Sequence, residues 1–158
     1  ATARGARVVH GVRRAEVVQD LEAEGIHAFQ LSHADQLPEQ AEQSFEQNPP
    51  NVIFDTTGFW LPAAVNSVAP FGRVAVIAAP ADGLVSTPIL GLYRRGGSII
   101  GVNSLLEDCA RVLARIGADF DKGSIPVPYD FTTLPLSEGI AAYRDINAGG
   151  SGKIVLIP

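Results

Sequence analysis

The sequence predicts an α/β protein built on a doubly wound parallel sheet, with helices on both faces in a three-layer αβα arrangement. Three observations predict it. Short, nearly unbroken Val/Ile runs at residues 6–12, 51–55 and 73–77 alternate with segments of helical period. Strands that continuous are buried on both faces, whereas a strand with one wet face would alternate apolar and polar residues. The loops after the runs are short, and in a parallel sheet all of them collect along the one edge where ligands bind.

Composition narrows the class. Of 158 residues, 46% are hydrophobic and 18% charged, which excludes a disordered chain. Lys and Arg total 12 against 17 Asp and Glu, a formal charge of −5, so the broad basic field of a nucleic-acid or anionic-membrane binder is absent. One cysteine, Cys109, allows neither an internal disulfide nor a thiolate metal cage. The longest mostly apolar stretch, residues 74–81, is far short of the roughly 20 residues that span a bilayer. Residues 1–14 carry four arginines and no apolar core of a signal peptide, so a cytoplasmic, soluble protein is expected. The absence of methionine fits a mature product or a piece of something longer.

The elements follow in order. Ala6-Arg7-Val8-Val9-His10-Gly11-Val12 reads as a buried strand. Residues 14–24 place Val17, Val18 and Leu21 on one helical face and stop at Gly25. A short strand at 26–31 precedes a polar helix over 35–47, with Leu37, Ala41, Ser44 and Phe45 at helical spacing, ended by Asn48-Pro49-Pro50. Residues 51–58 form a strand closing on a glycine turn. Residues 62–69 form a helix with Pro62 in its first turn, where a missing N–H costs little. Residues 72–79 are the next strand, 80–88 a loop and 97–102 another strand. Ser104-Leu105-Leu106-Glu107 has the form of a capping box opening a helix with Cys109, Val112, Leu113 and Ile116 on its apolar face. A helix over 135–147 and a strand over 152–158 complete the chain.

At these residues the chain resembles the Rossmann-like cofactor-binding half of the medium-chain dehydrogenase/reductases, nearest the quinone-oxidoreductase branch. The resemblance rests on Gly5-Ala6-Arg7-Val8-Val9, Asn51-Val52-Ile53-Phe54-Asp55-Thr56-Thr57-Gly58, Gly72-Arg73-Val74-Ala75-Val76-Ile77 and Gly152-Lys153-Ile154-Val155-Leu156, in the family's order and at about its spacing. It implies a domain over 1–151 that is incomplete at its N-terminus, since the family's first strand and G-x-G-x-x-G-like turn have no counterpart here. Residues 152–158 would be a strand returning to an absent catalytic domain. The implied activity is that of an NADPH-dependent quinone or enone/enoyl reductase acting on a small-molecule substrate, with the fragment alone inactive.

The family pattern also implies sites. NAD-using members end the strand equivalent to 7–12 in an acidic residue that grips the ribose hydroxyls. Here Val12 is followed by Arg13 and Arg14, whose forked guanidiniums suit a 2′-phosphate, so NADP(H) is the expected nicotinamide dinucleotide. The bland reading is two solvated arginines at a helix start. Thr56 and Gly58 would lie along the adenosine side, where the glycine allows close approach and Thr56 or Thr57 can offer a hydroxyl, with Asp55 capping the turn as the plain structural alternative. Ala78, Ala79, Val102 and Asn103 would offer backbone to the nicotinamide carboxamide; small residues there equally suit tight packing. A homodimer is expected through the edge strand at 98–102, with Arg94 and Arg95 as gatekeepers in the plainer view.

No catalytic residue and no metal ligand is assigned within the chain. His10, His27 and His33 have no metal-binding spacing, Cys109 is expected to be a buried small hydrophobe, and Trp60 to be packing. Two alternatives stay open: a fragment of a zinc-dependent alcohol dehydrogenase, or a non-catalytic Rossmann-like module for nucleotide binding or dimerisation. A methyl donor-binding transferase is disfavoured, because it too wants an acidic residue near Val12.

Overall fold

The computed structural model describes residues 1–106, 108–125, 131–150 and 152–158. These divide into two compact units, Ala1–Cys109 and Ala110–Pro158. The fold is α/β, with parallel strands and helices throughout, as expected.

In the first unit a 3-10 turn (Thr2–Arg4) leads to β1 (His10–Val12), α1 (Ala15–Ala23) and β2 (Ala28–Gln30). A second 3-10 turn (Ala34–Gln36) runs into α2 (Leu37–Ser44), followed by β3 (Val52–Asp55), α3 (Leu61–Ser67), β4 (Arg73–Val76), α4 (Ile89–Arg95) and β5 (Ser98–Gly101). Pairing is parallel in two ladders. β1 pairs β2, and β4 lies between β3 and β5 in a register that aligns Phe54 with Ala75 and Ile100. The β1–β2 and β3–β4–β5 ladders are separate, so no continuous six-strand sheet forms among the described residues.

One core joins the two ladders. Leu31, Leu37 and Ala41 pack with Ala64, Val65 and Val68 of α3 and with Val74 of β4, while Phe29, Ile53, Trp60 and Leu92 flank them. The spacing of Leu37 and Ala41, and of Ala64, Val65 and Val68, is the i, i+3, i+4 pattern that buries one helical stripe. Val65, Val68 and Val74 are fully enclosed, each contributing about 1.5–3 kcal/mol of burial. Both α2 and α3 carry proline in their first turn, at Pro38 and Pro62, as the sequence suggested for the second.

A charged clamp ties the approach to β1 onto the end of α2. Arg7 donates through Nη1 to Glu46 Oε1 (2.7 Å) and through Nη2 to Ser44 O (2.9 Å), and its guanidinium lies over the Phe45 ring at 5.5 Å. The cation suits the negative end of that helix. Here Glu46 and Gln47 both take left-handed backbone (φ 58° and 67°), a local cost that their surroundings must offset.

The second unit holds α5 (Cys109–Asp121, whose first residue ends the first unit), β6 (Phe131–Pro135), a 3-10 turn (Leu136–Glu138), α6 (Gly139–Asn147) and β7 (Lys153–Ile157). β6 and β7 pair in parallel, with Phe131 opposite Lys153 and Pro135 opposite Ile157. No helix among the described residues is long and apolar enough to cross a membrane.

Several boundaries differ from the sequence reading. The sequence reading assigned no element to residues 89–95, which form α4, and did not anticipate β6. The long helix expected over 35–47 is divided into a 3-10 turn and α2, with Gln36 Oε1 ahead of Pro38 accepting from Ser32 N–H and His33 N–H (3.0 Å each). Glu107 of the expected capping box lies outside the described residues. Cys109 is exposed rather than buried, and its thiol donates to Ser104 O at 2.8 Å.

Gly72 opens β4 with no room for a side chain. A Cβ there would stand 2.4 Å from Val68 Cγ2, 2.8 Å from Ala69 O and 3.0 Å from Asn51 O. Gly72→Ala is therefore expected to destabilise the chain by about 1–3 kcal/mol. Chemical denaturation of the two proteins checks this, and an unchanged midpoint would contradict the packing described.

Candidate functional site

β3, β4 and β5 end side by side, and the chain leaving each of them builds one surface. Its framework is a turn at the end of β3. Asp55 is 3% exposed, and its Oδ1 accepts hydrogen bonds from Thr57 N–H (2.9 Å), Thr57 Oγ1–H (3.0 Å) and Gly58 N–H (2.9 Å). Three donors on one oxygen fold residues 55–58 into a tight turn, an Asp side chain replacing a backbone acceptor. Oδ2 is buried and has no partner among the described residues. The capping role that the sequence offered Asp55 is the one it performs.

Thr57 Oγ1 also accepts from Phe59 N–H (3.0 Å), so its hydroxyl is spent inside the turn. Thr56 and Thr57 are both exposed, and the hydrogen bonds separate the two threonines that the sequence could not rank: none of those described engages the Thr56 hydroxyl. Gly58 is buried at φ 74°, where a Cβ would lie 2.5 Å from Ala78 O and 2.9 Å from Ala79 Cα. The close approach it permits is to the chain leaving β4. Trp60 packs against the core and meets Phe59 edge-on, with ring centroids 5.2 Å apart, in agreement with the packing role.

Beside this contact lies an open cleft of about 600 Å³, lined by Val76, Ile77, Ala78, Gly101, Val102, Asn103 and Ser104. Its floor is held by Val102 N–H donating to Val76 O (2.8 Å) and Ile77 N–H to Asp55 O (3.2 Å). Asn103 Oδ1 accepts from Leu105 N–H (3.0 Å), which turns the chain away from β5. Thr56, Gly58, Ala78, Ala79, Val102 and Asn103 thus share one region. Ile77 and Ser104 also line the cleft; the signal for them was present, since both directly follow or flank residues at strand ends.

Arg13 and Arg14 stand elsewhere, at the carboxyl end of β1 in the other ladder. Both are exposed. Arg13 O accepts from Gln30 Nε2–H (3.2 Å), which fixes its backbone and leaves the guanidinium outside that bond. Arg14 is the residue before α1, in extended backbone, with Nε 3.8 Å from Glu16 Oε1. None of the described hydrogen bonds or ion pairs links either arginine to the cleft. No cluster of three or more His, Cys, Asp or Glu suited to a metal ion occurs among the described residues. A second open cleft, in the other unit, runs along α6 past Gly139, Ile140, Tyr143 and Asn147.

No protein-family model matches the chain, and a sequence search of curated proteins finds no significant match. Solved structures do match. A quinone oxidoreductase from Pseudomonas syringae pv. tomato is 21% identical, with TM-score 0.73, over 98% of this chain and 50% of its own. A mycobacterial protein complexed with NADPH is 22% identical, with TM-score 0.74, over 100% of this chain and 52% of its own. Benzyl alcohol dehydrogenase from Acinetobacter calcoaceticus is 17% identical, with TM-score 0.80, over 96% and 42%. At such identities the likeness establishes the Rossmann-like fold. The chain spans about half the length of these proteins.

The turn at the end of β3 has a direct test. Gly58→Ala must adopt left-handed backbone and displace Ala78, so a loss of about 2–4 kcal/mol is expected. Denaturant titration measures it; a loss below about 0.5 kcal/mol would mean that the approach of Gly58 to Ala78 is not tight.

Proposed function

We propose that the chain is the nucleotide-binding part of an NADPH-dependent oxidoreductase, of the quinone-reductase or enone/enoyl-reductase kind. In this reading residues 1–151 are that domain without its first strand and glycine-rich turn. Residues 152–158 lead back toward a catalytic domain carried by the rest of the polypeptide. The observation that carries the cofactor assignment is the pair Arg13 and Arg14, exposed at the carboxyl end of a parallel strand where a dinucleotide's ribose is gripped.

The residues present suit the group. An acidic side chain at the end of β1 would favour a free 2′-hydroxyl; two guanidiniums favour a phosphate, through charge-assisted, forked hydrogen bonds. Arg13 is the better placed, because Arg14 is already within 3.8 Å of Glu16. The exposed Thr56 hydroxyl and the turn closed by Gly58 would hold the adenosine side. Ala78, Ala79, Val102 and Asn103, around the cleft, would hold the carboxamide end through backbone groups, the short side chains of Ala78 and Ala79 leaving the ring room against the main chain.

When bound, the nicotinamide supplies the hydride for an activated carbonyl or alkene. This chain's residues bind and orient it, and none is assigned acid–base work. A homodimer through residues 98–102 belongs to the same proposal. β5 is the last strand of its ladder, and the exposed Ile99 and Ile100 make an uncharged edge that a twin strand would cover.

The cofactor assignment is tested in the intact protein. Arg13→Ala is expected to weaken NADPH binding by about 1–3 kcal/mol and to leave NADH nearly unchanged, read by fluorescence or calorimetric titration. Equal losses for both cofactors would refute the phosphate role.

A further inference from the structure

Only Arg13 and Arg14 separate β1 from α1. His10 N–H donates to His27 O (2.9 Å) and Leu31 N–H to Val12 O (2.7 Å), so residues 10 and 12 turn their backbone groups toward β2. Successive residues of a strand alternate, and a straight continuation would point the Arg13 carbonyl away from β2. The chain bends at Arg13 instead, and that carbonyl accepts from Gln30 Nε2–H at 3.2 Å. Arg14, the residue before α1, makes no side-chain capping hydrogen bond. Among the described residues, the Gln30 amide is therefore the side chain whose hydrogen bond fixes this connection.

Gln30 stands where the fold can hold it still. On one side of it Leu31 is buried in the core with Leu37 and Ala41 of α2, and on the other Phe29 flanks the same core. Phe29 and Leu31 close over Gly11 of β1, where a Cβ would stand 2.7 Å from Leu31 Cδ1 and 3.3 Å from Phe29 Cε2. The register sets Gln30 opposite Val12, the last residue of β1. Gln30 itself is exposed, so the core makes no use of its side chain. Its amide spends a donor on the residue that carries the charge of the proposed phosphate contact.

We propose that Gln30 is a positioning residue for cofactor selectivity: its bond to the Arg13 carbonyl holds the Arg13 backbone at the end of β1, where the guanidinium meets a 2′-phosphate. This rests on the reading of Arg13 as the phosphate contact, and adds what keeps it in place. Ordering a free segment on binding subtracts from affinity. A backbone already fixed at Arg13 removes that cost for a cofactor that engages the guanidinium. It changes nothing for a cofactor without a 2′-phosphate. Gln30 thus acts on the difference between the two dinucleotides, through Arg13, without touching either.

Calorimetric titration of the intact protein with NADPH and with NADH, for Gln30→Met, Arg13→Ala and the double variant, tests this. Methionine keeps the length of glutamine and removes the donor. Arg13→Ala keeps the carbonyl that Gln30 holds, so the two changes separate cleanly. Gln30→Met is expected to weaken NADPH binding about 3- to 10-fold, the scale of one hydrogen bond, and NADH binding less than about 2-fold. In the Arg13→Ala background the same change is expected to cost NADPH less than about 2-fold, because no guanidinium remains to be positioned. Equal losses for the two cofactors in Gln30→Met would overturn the proposal, since a residue that merely supports the site weakens both. An undiminished loss on top of Arg13→Ala would overturn it too. The two ideas fail distinguishably. A selective loss in Arg13→Ala with none in Gln30→Met sinks the positioning role alone. Equal losses in Arg13→Ala, or no binding of NADPH to the intact protein, sink the phosphate reading and the positioning role with it.

Discussion

Parallel pairing is the constraint from which the rest of the first unit follows. Two parallel strands cannot be joined by a tight turn, so each pair demands a crossover long enough for a helix. That is why β3, β4 and β5 are separated by α3 and α4, and why their carboxyl ends meet along one line. Residues far apart in sequence, Gly58, Ala78 and Asn103, become neighbours through this geometry alone. The Asp55 carboxylate then converts a strand end into a shaped surface, because three donors on one oxygen hold the turn in place.

The two halves of the proposed dinucleotide site are built by different means. Around the cleft, recognition would be carried by backbone and by what is missing, namely side chains at Gly58, Ala78, Ala79 and Gly101. At the end of β1 it would be carried by charge on two exposed side chains. Charge at an exposed site is screened by salt, whereas the fit of a backbone surface is not. A cofactor held in this way would be positioned at one end and selected at the other.

Much of this was legible in the sequence, for identifiable reasons. β-branched runs ending in glycine marked β3 and β4, and prolines at helix starts marked α3, because these signals act locally. The strand-end residues around the cleft could be named since strand polarity fixes where ends collect. α4 was hidden: Ile89-Leu90-Gly91-Leu92-Tyr93-Arg94-Arg95 contains a glycine and follows Pro88, and the close approach of Gly91 to Asn66 that favours it is a tertiary fact. β6 was hidden because Phe131-Thr132-Thr133-Leu134-Pro135 becomes a strand by pairing with β7, over 20 residues ahead. Cys109 sits on an apolar stripe in sequence, but its thiol is turned to the Ser104 carbonyl. The division of labour between Thr56 and Thr57 needed the hydrogen bonds themselves.

The contact between Gly58 and the chain leaving β4 also bears on how the sheet finds its alignment during folding. Gly58 reaches the Ala78 carbonyl only when Asp55 stands opposite Val76. A slip of one residue along the ladder would turn the apolar faces of β4 outward and bring the bend of β3 against Ile77 or Ala79 instead. The bend therefore works as a stop: misaligned pairings meet it by collision, and only one alignment lets the bend and the chain leaving β4 fit together.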